Sequence, residues 1–329
     1  MDNPWQLIRP IYERHATSAS VEEFHRQVNL HFHAVESSIY DQIHCEMWES
    51  LPAQFDLLAQ DALASGTQAR NLRLLDIGCG TGLSSDLLLK SALGEFITDV
   101  CLLDTSREML DRALARSAGW GKRAEGKIGL VSDLPAATYD VVVTCSVLHH
   151  IPRLDDFLAE IARRQGEGGI FLHLQDPNRD CQADPELRER CEELRRTEEA
   201  RKPSRAAKLM RRWNPVRLAK RIATGPGTSY IDGVNHSLMD AGVLRSPLSD
   251  EQIWTITDIH DAPGHSAGIS LTEMRGWMGS YDMVSARSYG FFGKLISNLP
   301  ESFARRETEL RERNAQDGHF LSAAWRKRS

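Results

Sequence analysis

Leu74-Leu75-Asp76-Ile77-Gly78-Cys79-Gly80-Thr81-Gly82-Leu83 is the stretch on which the fold turns. A short apolar run carries a carboxylate near its end, glycines at 78, 80 and 82 follow, and LSSDLLLKSAL (83–93) then reads as a helix. A strand, a glycine turn and a helix in that order let a ligand approach the backbone without meeting a Cβ. A dinucleotide loop needs a further glycine at 83 or 85, where the sequence has Leu83 and Ser85. No Gly-Lys-Ser/Thr triplet follows, which removes the triphosphate loop as well.

Working outward, EFITDVCLLD (95–104) reads as a second strand and SREMLDRALARS (106–117) as its helix, with Ser106 as N-cap. GKIGLVSD (126–133), YDVVVTCS (139–146) and GGIFLHLQ (168–175) are three more strands, with the helix RLDDFLAEIARR (153–164) between the last two. Near-continuous apolar strands alternating with helices predict a parallel sheet covered on both faces. Upstream, Phe24, Val28, Phe32, Val35 and Ile39 recur near a 3.6 period, and a second helix runs from Leu51 to a stop at Ser65-Gly66. Beyond Gln175 the alternation breaks into a polar, helical stretch, 178–224, ended by the GPG at 225–227. It resumes with a helix at 271–278, a strand at 281–292, a charged helix near 301–314 and a final strand at 319–328. The expected organisation is an N-terminal helical lid (1–70), an α/β core (71–177), a mostly helical insertion (178–268) and a completion of the core (269–329).

The 329 residues carry a net charge of -6, with 41% hydrophobic and 26% charged residues, as in globular domains. Mild acidity excludes a surface built wholly for polyanions. No apolar run approaches the roughly 18 residues of a spanning helix, and MDNPWQLIRP does not read as a secretory leader. Six cysteines without a CxxC pair suggest a reducing, cytoplasmic setting.

On Asp76, Gly78, Gly80 and Gly82, with Asp104 closing the second strand, Ser132-Asp133-Leu134 after the third and YDVVVTCSVLHHI (139–151) around the fourth, the chain resembles the class I S-adenosylmethionine-dependent methyltransferases of the small-molecule type. The resemblance implies an α/β, Rossmann-like seven-stranded sheet, with N-terminal helices and a helical insertion before the last two strands. Its cofactor is S-adenosyl-L-methionine. By that likeness Asp104 meets the ribose hydroxyls, Asp133 the adenine amino group, and Leu134 and Met109 the adenine faces. The loop Gly78, Cys79, Gly80, Gly82 lines the methionyl part, Asp76 organises the loop and the amino group, and Tyr40 lies over the methionyl end. Thr105, Ser132 and Cys145 complete the cofactor set.

The acceptor belongs beyond the carboxyl ends of strands four and five. His149 and His150 are the candidate bases there, and Asp176 a candidate for holding a cationic group. His44 shares a helix face with Tyr40, and Asn178, His236 and His260 are candidate substrate contacts. The insertion also holds Asn235, Asp258, Asp261 and His265, but the spacing within 257–265 matches no metal-ligand motif, so no metal is expected.

The expected function is methyl transfer to a small molecule, with oxygen, nitrogen and carbon acceptors all open. An Asn/Asp-Pro-Pro-aromatic motif is missing after strand four, which points away from nucleic-acid bases. Two alternatives stay open: an enzyme that cyclises or cleaves S-adenosylmethionine itself, and a non-catalytic cofactor-binding protein. Nine Lys or Arg without an acidic residue between 201 and 221 read as a solvated lid face or a docking stretch for an anionic partner. No stable membrane insertion is expected, and a homodimer through the N-terminal helices is left open.

Overall fold

Apolar strands that carry no polar face must be covered twice, and the chain does this with one sheet between two helical layers. The computed structural model describes residues 5–44, 47–66, 70–136, 138–181, 184–201, 230–260, 268–293 and 299–328. Seven strands, β1 (Leu72–Ile77), β2 (Ile97–Asp104), β3 (Arg123–Ile128), β4 (Tyr139–Cys145), β5 (Gln165–Pro177), β6 (Tyr281–Tyr289) and β7 (Phe320–Lys327), lie in the order β3-β2-β1-β4-β5-β7-β6. The first five are parallel, and β7 runs antiparallel to both β5 and β6. The seven-stranded α/β sheet expected from the sequence is present, and all five parallel strands point their carboxyl ends at one edge.

The helices are α1 (Ile8–His15), α2 (Val21–Glu36), α3 (Tyr40–Ile43), α4 (Met47–Ala64), α5 (Leu83–Lys90), α6 (Arg107–Ser117), α7 (Leu154–Arg164), α8 (Pro185–Arg201), α9 (Tyr230–Asp240), α10 (Asp250–Thr257), α11 (Leu271–Trp277) and α12 (Glu301–Glu312). Leu51, Phe55 and Leu58 of α4 pack with α5 and α6 on one sheet face, over Leu74, Leu102 and Val143. Leu158 and Ile161 of α7 and Met274 of α11 cover the other, over Leu75, Val142 and Phe171. A separate core joins distant segments: Ile8, Phe24, Val28 and Phe32 of α1 and α2 pack against Val234 and Leu238 of α9 and Ile253 and Ile256 of α10. No helix among the described residues is long and apolar enough to cross a membrane.

Several boundaries differ from the sequence reading: the helix expected over 83–93 ends at Lys90, the fifth strand widens to Gln165–Pro177, the strand expected over 281–292 ends at Tyr289, and three more have a clear physical reason. The third strand is Arg123–Ile128, and Val131–Asp133 forms a 3-10 turn after it. This is an edge strand whose residues are nearly all exposed, so it carries no apolar signal. The expected helix from 21 to 39 ends at Glu36, and a new turn starts at Tyr40. The second strand starts at Ile97 because Ala92–Glu95 winds into a 3-10 turn. Of the basic stretch, all but Arg201 lies outside the described residues.

His173 on β5 is fully buried among Phe171 and Trp325, with ring centroids at 5.8 and 6.4 Å, and neither ring nitrogen has a hydrogen-bond partner. Burial pushes its pKa down to about 4 from the usual 6.5. The unfolded chain therefore binds a proton between those values that the folded chain refuses, and stability falls as pH drops from about 6.5 toward 4. A His173→Leu protein is expected to lose one proton's worth of that slope in thermal melts across the window, at unchanged or slightly raised stability near neutrality. An unaltered slope would show that His173 is protonated in the fold.

Candidate active site

The residues expected to meet the cofactor gather where β1 and β2 end. Asp76 is fully buried, and its Oδ2 accepts from Ser84 Oγ at 2.6 Å, Ser85 Oγ at 2.6 Å and Ser85 N at 3.1 Å, tying the start of α5 to the strand. Its Oδ1 is buried with no partner. Burial outweighs those bonds and raises the carboxyl to about 6. Gly78, Gly80 and Gly82 all have left-handed φ, at 64°, 52° and 81°. A Cβ on Gly78 would meet Val147 Cγ2 at 2.7 Å, whereas one on Gly80 would point into open space. The loop thus packs against the chain at 78 and bares its backbone at 80. Cys79 between them is buried.

Asp104 joins that loop to the second strand. Its Oδ2 accepts from Gly80 N at 2.8 Å and its Oδ1 from Ser106 N at 2.8 Å, while burial raises its pKa. Each oxygen keeps a second lone pair. Gly129 N donates to Asp104 O at 3.1 Å, so the turn carrying Ser132, Asp133 and Leu134 begins beside this carboxylate. Met109 and Leu134 are buried; Thr105, Ser132 and Asp133 are exposed. Asp133 Oδ2 accepts from Leu130 N at 2.8 Å and so also closes its own turn. Cys145 ends β4, half-buried, with its thiol pushed well up by burial.

The roof over this cleft is latched by residues that the sequence did not single out. Thr81 Oγ1 donates to Asp41 Oδ1 at 2.7 Å, and Arg116 on α6 pairs with Asp41 Oδ2 at 2.5 Å and donates to Thr81 Oγ1 at 3.2 Å. Tyr40 next door is pushed up by burial and by the nearby carboxylates of Glu36, Asp104 and Asp41. Glu36 itself is buried, and burial alone would raise it. His33 Nδ1 at 3.4 Å and His44 Nε2 at 3.3 Å prevail and hold it at about 2. His44 also lies against Tyr40, ring centroids 4.5 Å apart.

The residues expected to face an acceptor gather at the ends of β4 and β5. Ser146 and Gln175, neither of them glycine, adopt left-handed φ of 59° and 63° at these ends, a strained geometry that clusters at functional sites. His149 Nδ1 donates to Asp176 Oδ1 at 2.8 Å, and His149 N reaches the same oxygen at 3.2 Å. Both residues are buried, and Asp176 Oδ2 has no hydrogen-bond partner. His150 lies with its ring tilted 46° to that of His149, centroids 4.0 Å apart, and donates from Nδ1 to Thr257 O at 2.7 Å, with Asp258 Oδ1 at 3.3 Å. Burial, reinforced by His149 and His33, pushes His150 well below the ordinary histidine value. His260 N donates to His149 O at 3.2 Å and its Nε2 to Ile151 O at 2.7 Å. The ring of His33 closes the roof at 5.2 Å from that of His150.

So the structure brings together His149, His150, Asp176, His260 and, through Glu36 and His33, His44. It does not bring His236, whose side chain is 84% exposed on the outer face of α9 because Ile231, Val234 and Leu238 take the inner one. Asn178 spends its Nδ2 on Gln316 O at 3.1 Å and Gly318 O at 3.0 Å, tying β5 to the loop before β7. Asn235 brackets Leu248 in the same structural way, while Asp261 and His265 lie outside the described residues. His33, Glu36, Asp41, Thr81 and Arg116 were missed; an aspartate adjacent to the singled-out Tyr40 was the nearest signal.

Residues 75–171 match the sequence model of a methyltransferase-domain family. A ubiquinone biosynthesis O-methyltransferase of Caulobacter sp. is 30% identical over 131 residues, 37% of this chain and 50% of that protein. A highly reducing polyketide synthase of Phaeosphaeria nodorum is 30% identical over 108 residues, 31% of this chain and 4% of that one. The match therefore spans half or less of these curated relatives. Among solved structures, an S-adenosylmethionine dependent methyltransferase from Mesorhizobium loti aligns over 81% of this chain and 95% of its own, at 16% identity and a TM-score of 0.42. The family match lies over the strand, glycine loop and carboxylates described above, so residues 75–171 form a methyltransferase-family domain.

Proposed function

We propose that this protein transfers the methyl group of S-adenosylmethionine to a small molecule, with a hydroxyl or other ionisable acceptor held at the ends of β4 and β5. The observation that carries the reading is the His149–Asp176 pair, an imidazole oriented by a buried carboxylate one strand away from the glycine loop. The relatives named as O-methyltransferases support the oxygen acceptor.

The residues present fit the cofactor. Asp76 Oδ1, buried and without a partner, suits a cationic amino group, and an unsatisfied buried acceptor gains from such a contact. The bare backbone at Gly80 admits a ligand, and the spare lone pairs of Asp104 suit two ribose hydroxyls. Met109 and Leu134 supply apolar surface for adenine. Bound there, S-adenosylmethionine supplies an electrophilic methyl carried on a sulfonium.

What the chain itself does is geometric and electrostatic. The latch from Asp41 to Thr81 and Arg116 holds α3 and Tyr40 down on the loop as a lid, keeping water from the reacting groups. His149 activates the acceptor by meeting its proton, and Asp176 fixes the ring and steadies the positive charge that results. His33 and His260 close the chamber from the helical side.

The test is incubation with S-adenosylmethionine and a metabolite extract, followed by mass spectrometry. S-adenosylhomocysteine together with a compound one methylene heavier is the expected result. Methylthioadenosine formed without extract would overturn it.

Asp76 adds a pH dependence. With its carboxyl near 6, the ionised form that a cationic amino group needs predominates above pH 6 and is lost below it. Affinity for S-adenosylhomocysteine is expected to weaken about tenfold for each pH unit below 6. Calorimetry on Asp76→Asn should show a flat profile. A flat profile for the unaltered protein would take Asp76 out of the amino-group site.

A further inference from the structure

The sequence offered metal ligands only within 257–265, where the spacing is wrong. The fold instead brings one residue of that loop against a pair from another part of the chain. Among the described residues, one potential ligand atom from each of His149, His150 and Asp258 lies within 4.8 Å of the other two. We propose that His149, His150 and Asp258 hold a divalent first-row transition-metal ion at the acceptor end of the site.

Three observations carry this. First, His150 Nδ1 and Asp258 Oδ1 are 3.3 Å apart. Two donors at about 2.0–2.1 Å from one tetrahedral ion are separated by about 3.3–3.4 Å, so this edge is already of the right length. Second, the His149 ring is fixed by Asp176 through Nδ1 at 2.8 Å, the carboxylate–histidine arrangement that orients a metal-ligating imidazole through its other nitrogen. Third, the three come from ordered supports: the histidines from the turn that leaves β4, and Asp258 from the C-cap of α10, with the segment after it joined to that turn by His260 N donating to His149 O at 3.2 Å.

Two imidazoles and one carboxylate suit zinc, iron(II), cobalt(II) or nickel(II) rather than calcium or magnesium. Binding at His150 Nδ1 replaces the proton now shared with Thr257 O, so loading releases a proton. Three protein ligands leave coordination positions open. On the methyl-transfer reading, on which this use of the ion rests, an acceptor oxygen would occupy one and lose its proton to solvent against the metal; in the loaded protein His149 then holds the ion, and it takes the acceptor's proton itself only in the ion-free protein.

The experiment uses the full chain, prepared without a histidine tag, stripped with chelator and titrated with cobalt(II). The expected result is one ion per chain at micromolar affinity, with visible ligand-field bands of a nitrogen–oxygen site. Asp258→Asn, which keeps the shape of the side chain, and His150→Ala should each weaken binding by about tenfold or more. His236→Ala, on the exposed face of α9, should not. S-adenosylhomocysteine affinity should be unchanged in Asp258→Asn, which also reports that the fold is intact. Absence of stoichiometric cobalt binding, or equal affinity in Asp258→Asn and His150→Ala, overturns the site. If the stripped chain binds no cobalt yet still methylates an acceptor, the ion is refuted and the methyltransferase reading stands. Cobalt binding in a chain that binds no S-adenosylhomocysteine supports the ion and refutes that reading instead.

Discussion

Turnover in a His149→Ala protein is expected to fall by about 10²–10⁴-fold, while affinity for S-adenosylhomocysteine stays within about twofold. The separation of effects follows from position. His149 leaves β4 and meets Asp176 on β5, whereas the proposed cofactor contacts come from β1, β2 and the turn after β3. Asp176→Asn should reduce turnover less. Its amide still fills the space and its Oδ1 can still accept from both Nδ1 and the main-chain N of His149, but it carries no charge to steady a positive ring. Single-turnover rates at saturating cofactor would make the comparison, with thermal melts to confirm folding. Equal rates for the unaltered protein and His149→Ala would remove the imidazole from the chemistry.

The second large effect belongs to Asp104. Its two oxygens already hold Gly80 N and Ser106 N, so alanine there is expected to remove the proposed ribose contacts and loosen the glycine loop together. Charge-assisted bonds contribute about 1.5–3 kcal/mol each, which for one or two lost contacts means a weakening of about tenfold to 10³-fold. Asp104→Asn should lie between, since it can still accept from one of the two amides. Isothermal calorimetry with S-adenosylhomocysteine gives the answer directly, and an unchanged dissociation constant for Asp104→Ala would exclude it from the cofactor site.

How far the sequence could be read depends on what each segment buries. β1, β4 and the middle of β5 were legible because both of their faces are covered and each carries a short apolar run. β3 was misplaced because RAEGKI sits at the sheet edge and needs no apolar side. The glycine loop was legible because left-handed φ at 78, 80 and 82 demands a particular residue type at each position. The latch was not: Asp41, Thr81 and Arg116 are ordinary polar residues, 40 and 75 positions apart, whose pairing exists only once α3 lies on the loop. The same holds for Asp258 against His150. His236 shows the opposite failure, a chemically attractive residue whose helix phase turns it to solvent.

The helical core that joins α1 and α2 to α9 and α10 has a consequence for how the protein is made. Phe24, Val28 and Phe32 emerge from the ribosome early, but the Val234, Leu238 and Ile253 that cover them come about 200 residues later. At about 5–20 residues per second, that apolar stripe stays uncovered for roughly 10–40 seconds during synthesis. Strands β1 to β5 have emerged before then, but β6 and β7, which finish the sheet beside β5, come later still, so the helical unit has all its partners before the sheet has its last two strands.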